Sequence, residues 1–298
     1  VKFEYFILIG VIAALAIYLS MRNTDRTLYE LPVIPEVTAK EFTKIEITHK
    51  AASITLDKKD ESWQIQPQGY PADPGRIEAI LATVSTLKAT ALASEAKDYQ
   101  RYELDDERKI GVKAWTGGDL KREFEIGKVA PSFRHTFIKL GGDPRVFHAR
   151  DNFRNKFDQE KAALQDKTIL RLDQAAVEAF RIETSDGPTE FKRQAEADDN
   201  NQKVKKPSIW QRSDGQVADP AAVAKLLGSV ADLKCQMFID NLTKQDLKNP
   251  IFTLFLKDAD SHTLSVFAKQ QTDAQAYPAT SSTSAFPFFL ETNQAEQI

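Results

Sequence analysis

Apolar and polar residues alternate through residues 44–66, and this pattern predicts three strands. The apolar positions fall in three pairs, Ile45 with Ile47, Ile54 with Leu56, and Trp63 with Ile65. A period of two is typical of strands that bury one face. The turn-prone run Lys58-Lys59-Asp60 separates the last two pairs. We therefore expect an antiparallel sheet that begins near residue 44.

The period then changes to that of a helix in the stretch YPADPGRIEAILATVSTL, residues 70–87. The apolar positions 77, 80, 81, 84 and 87 form one stripe at helical spacing. Asp73 can accept hydrogen bonds from the free N–H groups of a first helical turn, and Pro74 suits the first helical position. The sequence predicts a helix that starts at Pro74 and packs its stripe on the sheet.

Nearly the same stretch returns at residues 216–233 as QVADPAAVAKLLGSVADL. Ala72-Asp73-Pro74 recurs as Ala218-Asp219-Pro220, 146 residues later, and the five apolar positions recur with it. Trp63 and Trp210 precede the two tripeptides in strand-like contexts. An identical tripeptide in phase with five apolar positions indicates a duplicated unit.

We therefore predict an α+β fold of two tandem repeats, each a mainly antiparallel sheet packed by one capped helix, after an N-terminal transmembrane helix. The predicted divisions are a membrane anchor at 1–26, an extended linker at 27–41, repeat 1 at 42–173 and repeat 2 at 174–298. Residues 151–173 are expected to form a helical and loop connection. The polar stretch 194–208 is expected to be a mobile loop inside a longer hairpin.

The anchor prediction rests on Tyr5–Met21, a run without charge. A helix of this length reaches about 26 Å, near the lower limit for a bilayer core. A cleaved signal peptide with Ala14-Leu15-Ala16 as its cleavage site is the alternative. The apolar run continues through Leu19, which favours an uncleaved anchor. The flanking charges do not decide the orientation of the segment in the membrane.

Composition and charge exclude several classes of protein. The chain has 298 residues, of which 42% are hydrophobic and 28% charged, and its net charge is -3. This slightly negative net charge gives no support to nucleic-acid binding. Cys235 is the single cysteine, so neither an intramolecular disulfide nor a cysteine zinc cluster can form.

The motifs in the sequence do not support a catalytic, metal or cofactor site, and we predict no catalytic, metal-binding or cofactor-binding residues. His135 and His148 could face each other across the Gly141-Gly142 hairpin, but strand histidines without a metal role are the favoured interpretation. The run IGKVAPS lacks the spacing of a phosphate-binding loop. Cys235 is expected to be a partly buried structural residue.

A locally basic region surrounds the same hairpin. It comprises Arg134, Lys139, Arg145, Arg150, Arg154 and Lys156. Such a region could contact an anionic lipid, a polysaccharide or an acidic partner. Acidic residues interleave with it at Asp143, Asp151, Asp158 and Glu160. A solvated surface of mixed charge is therefore the favoured interpretation.

The order of motifs resembles the domain of unknown function 4340 family. The motifs are the I-x-I strand, the tryptophan strand, the ADP helix with LATVSTLKA, the Y-E-L-D step, the F-E-I-G-K strand, the F-I-K-L and R-V-F-H-A hairpin and LQDKTIL. The resemblance covers residues 28–173, with a looser second copy to about 290. The family commonly has glycine where this chain has Glu103, which leaves the geometry of that turn open.

The resemblance implies an extracytoplasmic protein anchored near its start, often encoded beside gliding-motility-type ABC transporters. We therefore expect a non-catalytic envelope protein in the inner membrane, single-pass, that serves as an auxiliary or scaffold subunit of an ABC-type transporter complex. Its expected partners are the membrane and membrane proteins such as transporter subunits. The alternative is a ligand-binding protein that uses an aromatic cleft between the repeats. An envelope hydrolase is the weakest hypothesis.

Overall fold

The computed structural model describes residues 3–21, 29–50, 52–194, 209–269 and 276–298. The described residues form mainly antiparallel sheets with few helices. The expected mobile loop at 194–208 lies, except for Gln194, outside them. The helices are α1 (Phe3–Met21), α2 (Pro74–Thr86), α3 (Arg154–Phe157), α4 (Pro220–Val230) and α5 (Thr292–Ala295).

The N-terminal helix α1 has 19 residues. At 1.5 Å per residue it rises about 28 Å, slightly less than a bilayer core of about 30 Å. Within the part of the chain that the structure describes, no helix combines the length and apolar character needed to cross a membrane. The transmembrane helix predicted for residues 1–26 is therefore not found there.

The predicted linker is packed on the body of the protein from residue 29 onward. Ile34 and Val37 are partly buried against the main hydrophobic core. A short 3₁₀ turn at Ala39–Glu41 leads into Phe42, which is fully buried. The described part of the segment is therefore attached to the body at Ile34, Val37 and Phe42, while Val33 is exposed.

The first sheet has nine strands and carries α2 on one face. In spatial order the strands are β4 (Tyr70–Pro71), β3 (Ser62–Ile65), β2 (Ala52–Lys59), β1 (Lys44–His49), β6 (Ile110–Thr116), β7 (Asp119–Val129), β8 (His135–Leu140), β9 (Val146–Arg150) and β5 (Ala89–Ser94). Neighbouring strands are antiparallel throughout. Strands β1 to β3 are the three that the alternation predicts.

Helix α2 begins as the sequence predicts. Asp73 is the N-cap, and its Oδ1 accepts a hydrogen bond of 2.9 Å from the Arg76 N–H. Pro74 occupies the first helical position, where an N–H would have no helical acceptor. The predicted stripe is buried except at Leu81, which is only partly covered.

The second sheet has eight strands and carries α4. In spatial order they are β13 (Ile209–Arg212), β12 (Gly187–Gln194), β11 (Ala179–Thr184), β16 (Phe252–Lys257), β17 (Ser261–Val266), β18 (Ala276–Ser281), β19 (Phe288–Glu291) and β15 (Met237–Phe238). Asp219 caps α4 by accepting from the Ala221 N–H at 2.9 Å. All five apolar positions of the second stripe are buried.

The two large sheets share one strand order. Each strand of the second sheet corresponds to a strand of the first whose label is ten lower, and only β4 lacks a counterpart among the described strands. The helix follows the tryptophan-bearing strand in both units, directly after β13 in the second and after the additional two-residue strand β4 in the first. One continuous hydrophobic cluster contains buried residues from both sheets and both helices.

The connection between the units contains a strand in addition to the expected helix and loop. Strand β10 (Thr168–Arg171) pairs with β14 (Asp232–Lys234), which follows α4. Ile169 and Leu170 are 2% and 1% exposed. Burial of these two side chains holds β10 in a small two-stranded sheet between the two large ones.

Candidate functional site

The outer face of the first sheet, opposite α2, carries a groove of about 400 Å³. We call it the outer-face groove. Its lining includes Thr48, Gly111, Lys113, Glu123, Glu125, Lys139 and the hairpin residues Gly141 to Pro144. These side chains alternate with the buried residues Val112 and Phe124 of the inner face. Gly111 opens the groove because it has no side chain above β6.

Charges in the groove are neutralised in pairs across the strands. Glu125 lies 3.0 Å from Lys109 Nζ and 2.8 Å from Lys139 Nζ. Lys113 and Glu123 pair at 3.3 Å. The hydrogen bond that Lys109 donates to the Asp106 carboxylate raises the pKa of Lys109, and its bond to Glu125 raises it further. The groove is therefore polar, with its positive and negative groups balanced.

The predicted turn at the end of the groove is confirmed between β8 and β9. Gly142 has φ +77°, a left-handed value that favours glycine. Arg145 holds Asp143 through its Nε at 3.0 Å and its Nη2 at 2.8 Å, and this contact lowers the pKa of Asp143. Tyr99 Oη donates to the Pro144 carbonyl at 3.0 Å, which attaches the preceding loop to the turn.

The histidine pair exists as neighbours on one sheet face. The His135 and His148 ring centroids are 5.6 Å apart and the rings are nearly perpendicular. Phe137 contacts His148 at 4.6 Å between centroids. The Nδ1 atom of His148 is buried and lacks a hydrogen-bond partner among the described residues. Burial lowers the pKa of His148, and the neighbouring His135 lowers it further.

This pair lacks the companions of a metal centre. Among the described residues, no group of three or more histidine, cysteine, aspartate or glutamate side chains could hold an ion. The arrangement instead keeps a neutral imidazole against an aromatic ring. Burial of His148 opposes its protonation.

The basic region is divided among separate contacts. Arg154 donates to the carbonyls of Ile126 at 3.3 Å and Arg108 at 2.6 Å. Lys156 donates to Thr83 Oγ1 at 3.2 Å. With Lys139 and Arg145 engaged as described above, the exposed Arg134 and Arg150 make no side-chain hydrogen bond or ion pair in the part of the chain described. The result is a surface of mixed charge.

Two further cavities lie along the exposed side of α2. One, of about 650 Å³, is lined by Thr86, Lys88, Ala89, Arg150 and neighbouring residues. The other, of about 560 Å³, lies at the start of the helix beside Arg76, Asn152 and Gln159. Lys156 lines both cavities. Thr83 and Lys156, which share a hydrogen bond of 3.2 Å, both line the first of these cavities.

The other two candidates for chemistry in the sequence, Cys235 and the IGKVAPS run, are part of the folded core and of a strand. Cys235 is 4% exposed, more buried than expected, and burial raises the pKa of its thiol to about 12. A thiol in that state is a poor nucleophile at neutral pH. Gly127 and Lys128 lie within β7, so the glycine and lysine of the IGKVAPS run belong to a strand.

The junction between the two sheets is a packed aromatic cluster whose members the sequence did not identify. Tyr70 stacks on Phe238 at 4.8 Å and meets Phe286 edge-on at 4.6 Å. Its Oη donates to Asp240 Oδ1 at 2.6 Å. Tyr70 and Phe238 are 2% and 7% exposed, so the rings fill the space between the sheets. No local pattern marks a contact between residues so far apart in sequence.

The sequence analysis also did not predict the burial of Arg122. Arg122 is 4% exposed and donates to the carbonyls of Pro35 at 2.5 Å, Val84 at 3.1 Å and Lys121 at 3.0 Å. Burial lowers the pKa of its guanidinium. The only sequence signal is an arginine at an inward position of β7, between Leu120 and the buried Phe124. The side chain attaches the N-terminal segment to the end of α2.

The fold defines a mainly antiparallel two-sheet protein with one long helix against each large sheet. The chain belongs to the family described as Domain of unknown function (DUF4340), which it matches over residues 63–250. The family resemblance of its motifs is thereby confirmed. Comparison with curated proteins and with solved structures finds no match.

Proposed function

We propose that this protein is a non-catalytic component of the bacterial cell envelope that serves as an auxiliary or scaffold subunit of an ABC-type transporter complex. The observation that carries the proposal is α1. Its apolar side chains Val11, Ile12, Leu15 and Ile17 are between 51% and 59% exposed. Burying each of these side chains is worth about 1.5–3 kcal/mol, so the helix favours burial in lipid or in another protein.

We propose that residues 1–26, which include α1, anchor the chain in the inner membrane as a single-pass segment, with the two sheets on the extracytoplasmic side. The sidedness rests on the resemblance of the chain to its family. Residues 29–41 then set the distance from the anchor to the sheets. Because Arg122 attaches this segment at Pro35, the sheets would be held close to the membrane.

A non-catalytic role agrees with the chemistry of the described surface. The charges in the outer-face groove are paired, and the buried Cys235 thiol has a raised pKa. Such a surface suits contact with another protein, where complementary charges provide specificity. The proposed binding partners of this chain are membrane proteins, including transporter subunits.

The membrane anchor is tested by fractionation of cells that express the full chain. We expect the wild type in the membrane fraction after an alkaline carbonate wash. Leu15→Glu should move the chain to the soluble fraction, because a carboxylate at the centre of α1 is costly to bury in lipid. Val33→Glu is the matched control, since Val33 is 92% exposed and lies outside the helix. Equal retention of both variants would contradict the anchor.

The transporter role is tested by affinity capture from native membranes with identification of the captured proteins. We expect ABC transporter subunits with the wild type and with Val33→Glu, and their loss with Leu15→Glu. A preparation without membrane protein companions would remove the main support for the proposal.

The alternative of a ligand-binding cleft between the repeats has less support. The aromatic residues at the junction, Tyr70, Phe238 and Phe286, pack against one another. Thermal-shift screening against glycans, lipids and peptides tests this alternative. A saturable shift that Phe286→Ala abolishes would favour it over the scaffold role.

A further inference from the structure

The cavity of about 650 Å³ beside the end of α2 has an excess of positive charge. It lies where the last turn of α2 meets the start of β5 and the end of β9, and we call it the helix-end cavity. Three of its lining residues are cationic, namely Lys88, Arg150 and Lys156, and Asp151 is the one acidic residue of the lining. The lining therefore carries a net charge of +2, whereas the charges of the outer-face groove are balanced.

The three cations are available to a ligand. Lys156 Nζ donates to the neutral Thr83 hydroxyl at 3.2 Å, and Arg150 makes no side-chain hydrogen bond or ion pair within the described part of the chain. Lys88 Nζ lies 3.1 Å from the Glu36 carboxylate, but these side chains are 65% and 85% exposed. An exposed ion pair of this kind holds its partner weakly. An anion in the cavity can therefore engage all three.

The second unit has the same fold at this place but lacks two of the three cations. Arg150 is the last residue of β9 and Glu291 is the last residue of β19, and each pairs with the first residue of the preceding strand. Six residues after these strand ends, Lys156 corresponds to Gln297. The unit thus folds with glutamate and glutamine at these positions, so folding does not account for the cations of the first unit.

The end of α2 opposes an anion in the cavity, but its effect is smaller than that of the cations. Thr86 is the last residue of α2 and lines the cavity. The C-terminal end of a helix carries a partial charge of roughly −0.5. One carbonyl of this turn, that of Val84, already accepts a hydrogen bond of 3.1 Å from Arg122. The cavity therefore remains cationic.

An exposed aromatic ring lies on the turn next to the cavity. Phe133 is 75% exposed between β7 and β8, with φ +56°, a value that is uncommon for a bulky residue. The Asp151 N–H donates to the Arg134 carbonyl at 2.8 Å, which joins this turn to the lining of the cavity. Aromatic rings favour the membrane interface, and basic groups beside them attract anionic lipids.

We propose that the helix-end cavity binds the phosphate-bearing headgroup of an anionic membrane lipid, with Phe133 against the start of the acyl chains. The guanidinium of Arg150 offers a fork of donors that matches phosphate oxygens, and the two lysines add point charges. The volume of the cavity suits a small organic group. Because the cavity belongs to the first sheet and α2, the inference goes beyond the proposed anchor and does not rest on α1.

Calorimetric titration of the full chain in a neutral detergent tests the proposal, with empty micelles as the blank. The probes are dihexanoyl phosphatidylglycerol, dihexanoyl phosphatidylcholine and glycerol 3-phosphate. We expect saturable binding of the phosphatidylglycerol and about tenfold weaker binding of the other two, since one has no net charge and the other has no acyl chains. Equal affinity for phosphatidylcholine, or no saturable binding, would overturn the proposal. Equal affinity for glycerol 3-phosphate would identify a soluble phosphate as the ligand and would overturn the assignment to a lipid.

Charge variants locate the binding site. Arg150→Glu introduces the residue that the second unit carries and should weaken phosphatidylglycerol binding about tenfold. Lys225→Glu makes the same change of charge at an exposed position of α4 and should bind as the wild type does. Lys156→Gln is a second cavity variant with a smaller change, and urea unfolding shows that each variant is folded. Equal weakening in the cavity variants and in Lys225→Glu would overturn the proposed site.

The role of the exposed ring is tested separately. Phe133→Ser should weaken the binding of both dihexanoyl lipids about tenfold and leave the preference for phosphatidylglycerol unchanged, because it removes apolar contact and no charge. Leu120→Ser is the control, since Leu120 is 44% exposed at the other end of β7 and does not line the cavity. Unchanged lipid affinity in Phe133→Ser would overturn the contact of this ring with the acyl chains.

Discussion

The Tyr70 hydroxyl donates a hydrogen bond of 2.6 Å to the Asp240 carboxylate, joining the two sheets across 170 residues of sequence. Tyr70 lies in β4 at the end of the first sheet, and Asp240 follows β15 at the end of the second. Burial raises the pKa of Tyr70, and its bond to Asp240 adds to the increase. The folded state therefore favours the neutral phenol, which can donate.

Tyr70→Phe should lower the free energy of unfolding by about 1.5–3 kcal/mol, the usual contribution of a hydrogen bond to a charged group. The ring contacts with Phe238 and Phe286 remain possible in this variant. Urea unfolding at pH 7 measures the change. The matched control is Tyr99→Phe, which removes a bond to the neutral Pro144 carbonyl and should cost less. Equal losses in the two variants would contradict a special role for the junction bond.

The stability of the protein should fall as the pH drops below about 6.5. The folded-state pKa of His148 is lowered by burial, so protons bind the unfolded chain more strongly. The contribution of His148 to stability is therefore present above the pKa of about 6.5 that histidine has in the unfolded chain. It is lost as the pH falls toward the lower pKa of His148 in the folded state. His148→Phe should reduce the loss between pH 7.5 and 5.5, measured by urea unfolding. The same slope in both proteins would refute this assignment.

Helix starts and strand alternation could be predicted because their causes are local. Asp73 caps α2 through an N–H three residues away, and Asp219 caps α4 through one two residues away. The alternation of Ile45 and Ile47 with polar residues similarly indicates which face of a single strand is buried. Such signals lie within a few residues of one another.

Features that depend on distant partners could not be predicted in the same way. Strand β10 exists because it pairs with β14, and its sequence is too short to show a period. The contact of His135 with His148 could be predicted because one hairpin joins them, whereas the buried environment of His148 could not. The attachment of Pro35 by Arg122 likewise joins segments 87 residues apart.

Glu103→Gly should stabilise the protein by about 0.5–1 kcal/mol. Glu103 ends a 3₁₀ turn with φ +55°, in the left-handed region where a side chain costs about 1–2 kcal/mol. Greater freedom of glycine in the unfolded chain offsets part of the gain. The turn thus has the conformation that glycine favours, although glutamate occupies it. Thermal unfolding measures the effect, with Glu107→Gly as a control that should destabilise or leave stability unchanged.

Gly127→Ala should destabilise the protein by more than about 3 kcal/mol. A Cβ atom at this position would lie 2.3 Å from the Tyr102 carbonyl oxygen and 3.0 Å from Leu104 Cγ. The backbone of the 102–104 segment must then move away from the sheet, which disrupts a buried cluster. Gly118→Ala, where the added methyl meets nothing within 4 Å, is the matched control. Similar unfolding midpoints for the two variants would rule out this close approach.

Arg122→Met should release the segment at residues 29–41 while the sheets stay folded. The methionine keeps apolar volume beside the core, but the Pro35 and Val84 carbonyls lose their donor. Buried acceptors without a partner cost about 1–3 kcal/mol each, and the Pro35 end can recover by moving into water. Limited proteolysis should then cleave near Lys40 at least tenfold faster than in the wild type. Arg171→Met is the control, because the Arg171 side chain is 77% exposed and, among the described residues, makes only an ion pair of 3.8 Å with Asp232. Unchanged cleavage in Arg122→Met, with a normal unfolding curve, would show that Ile34 and Val37 hold the segment without the arginine.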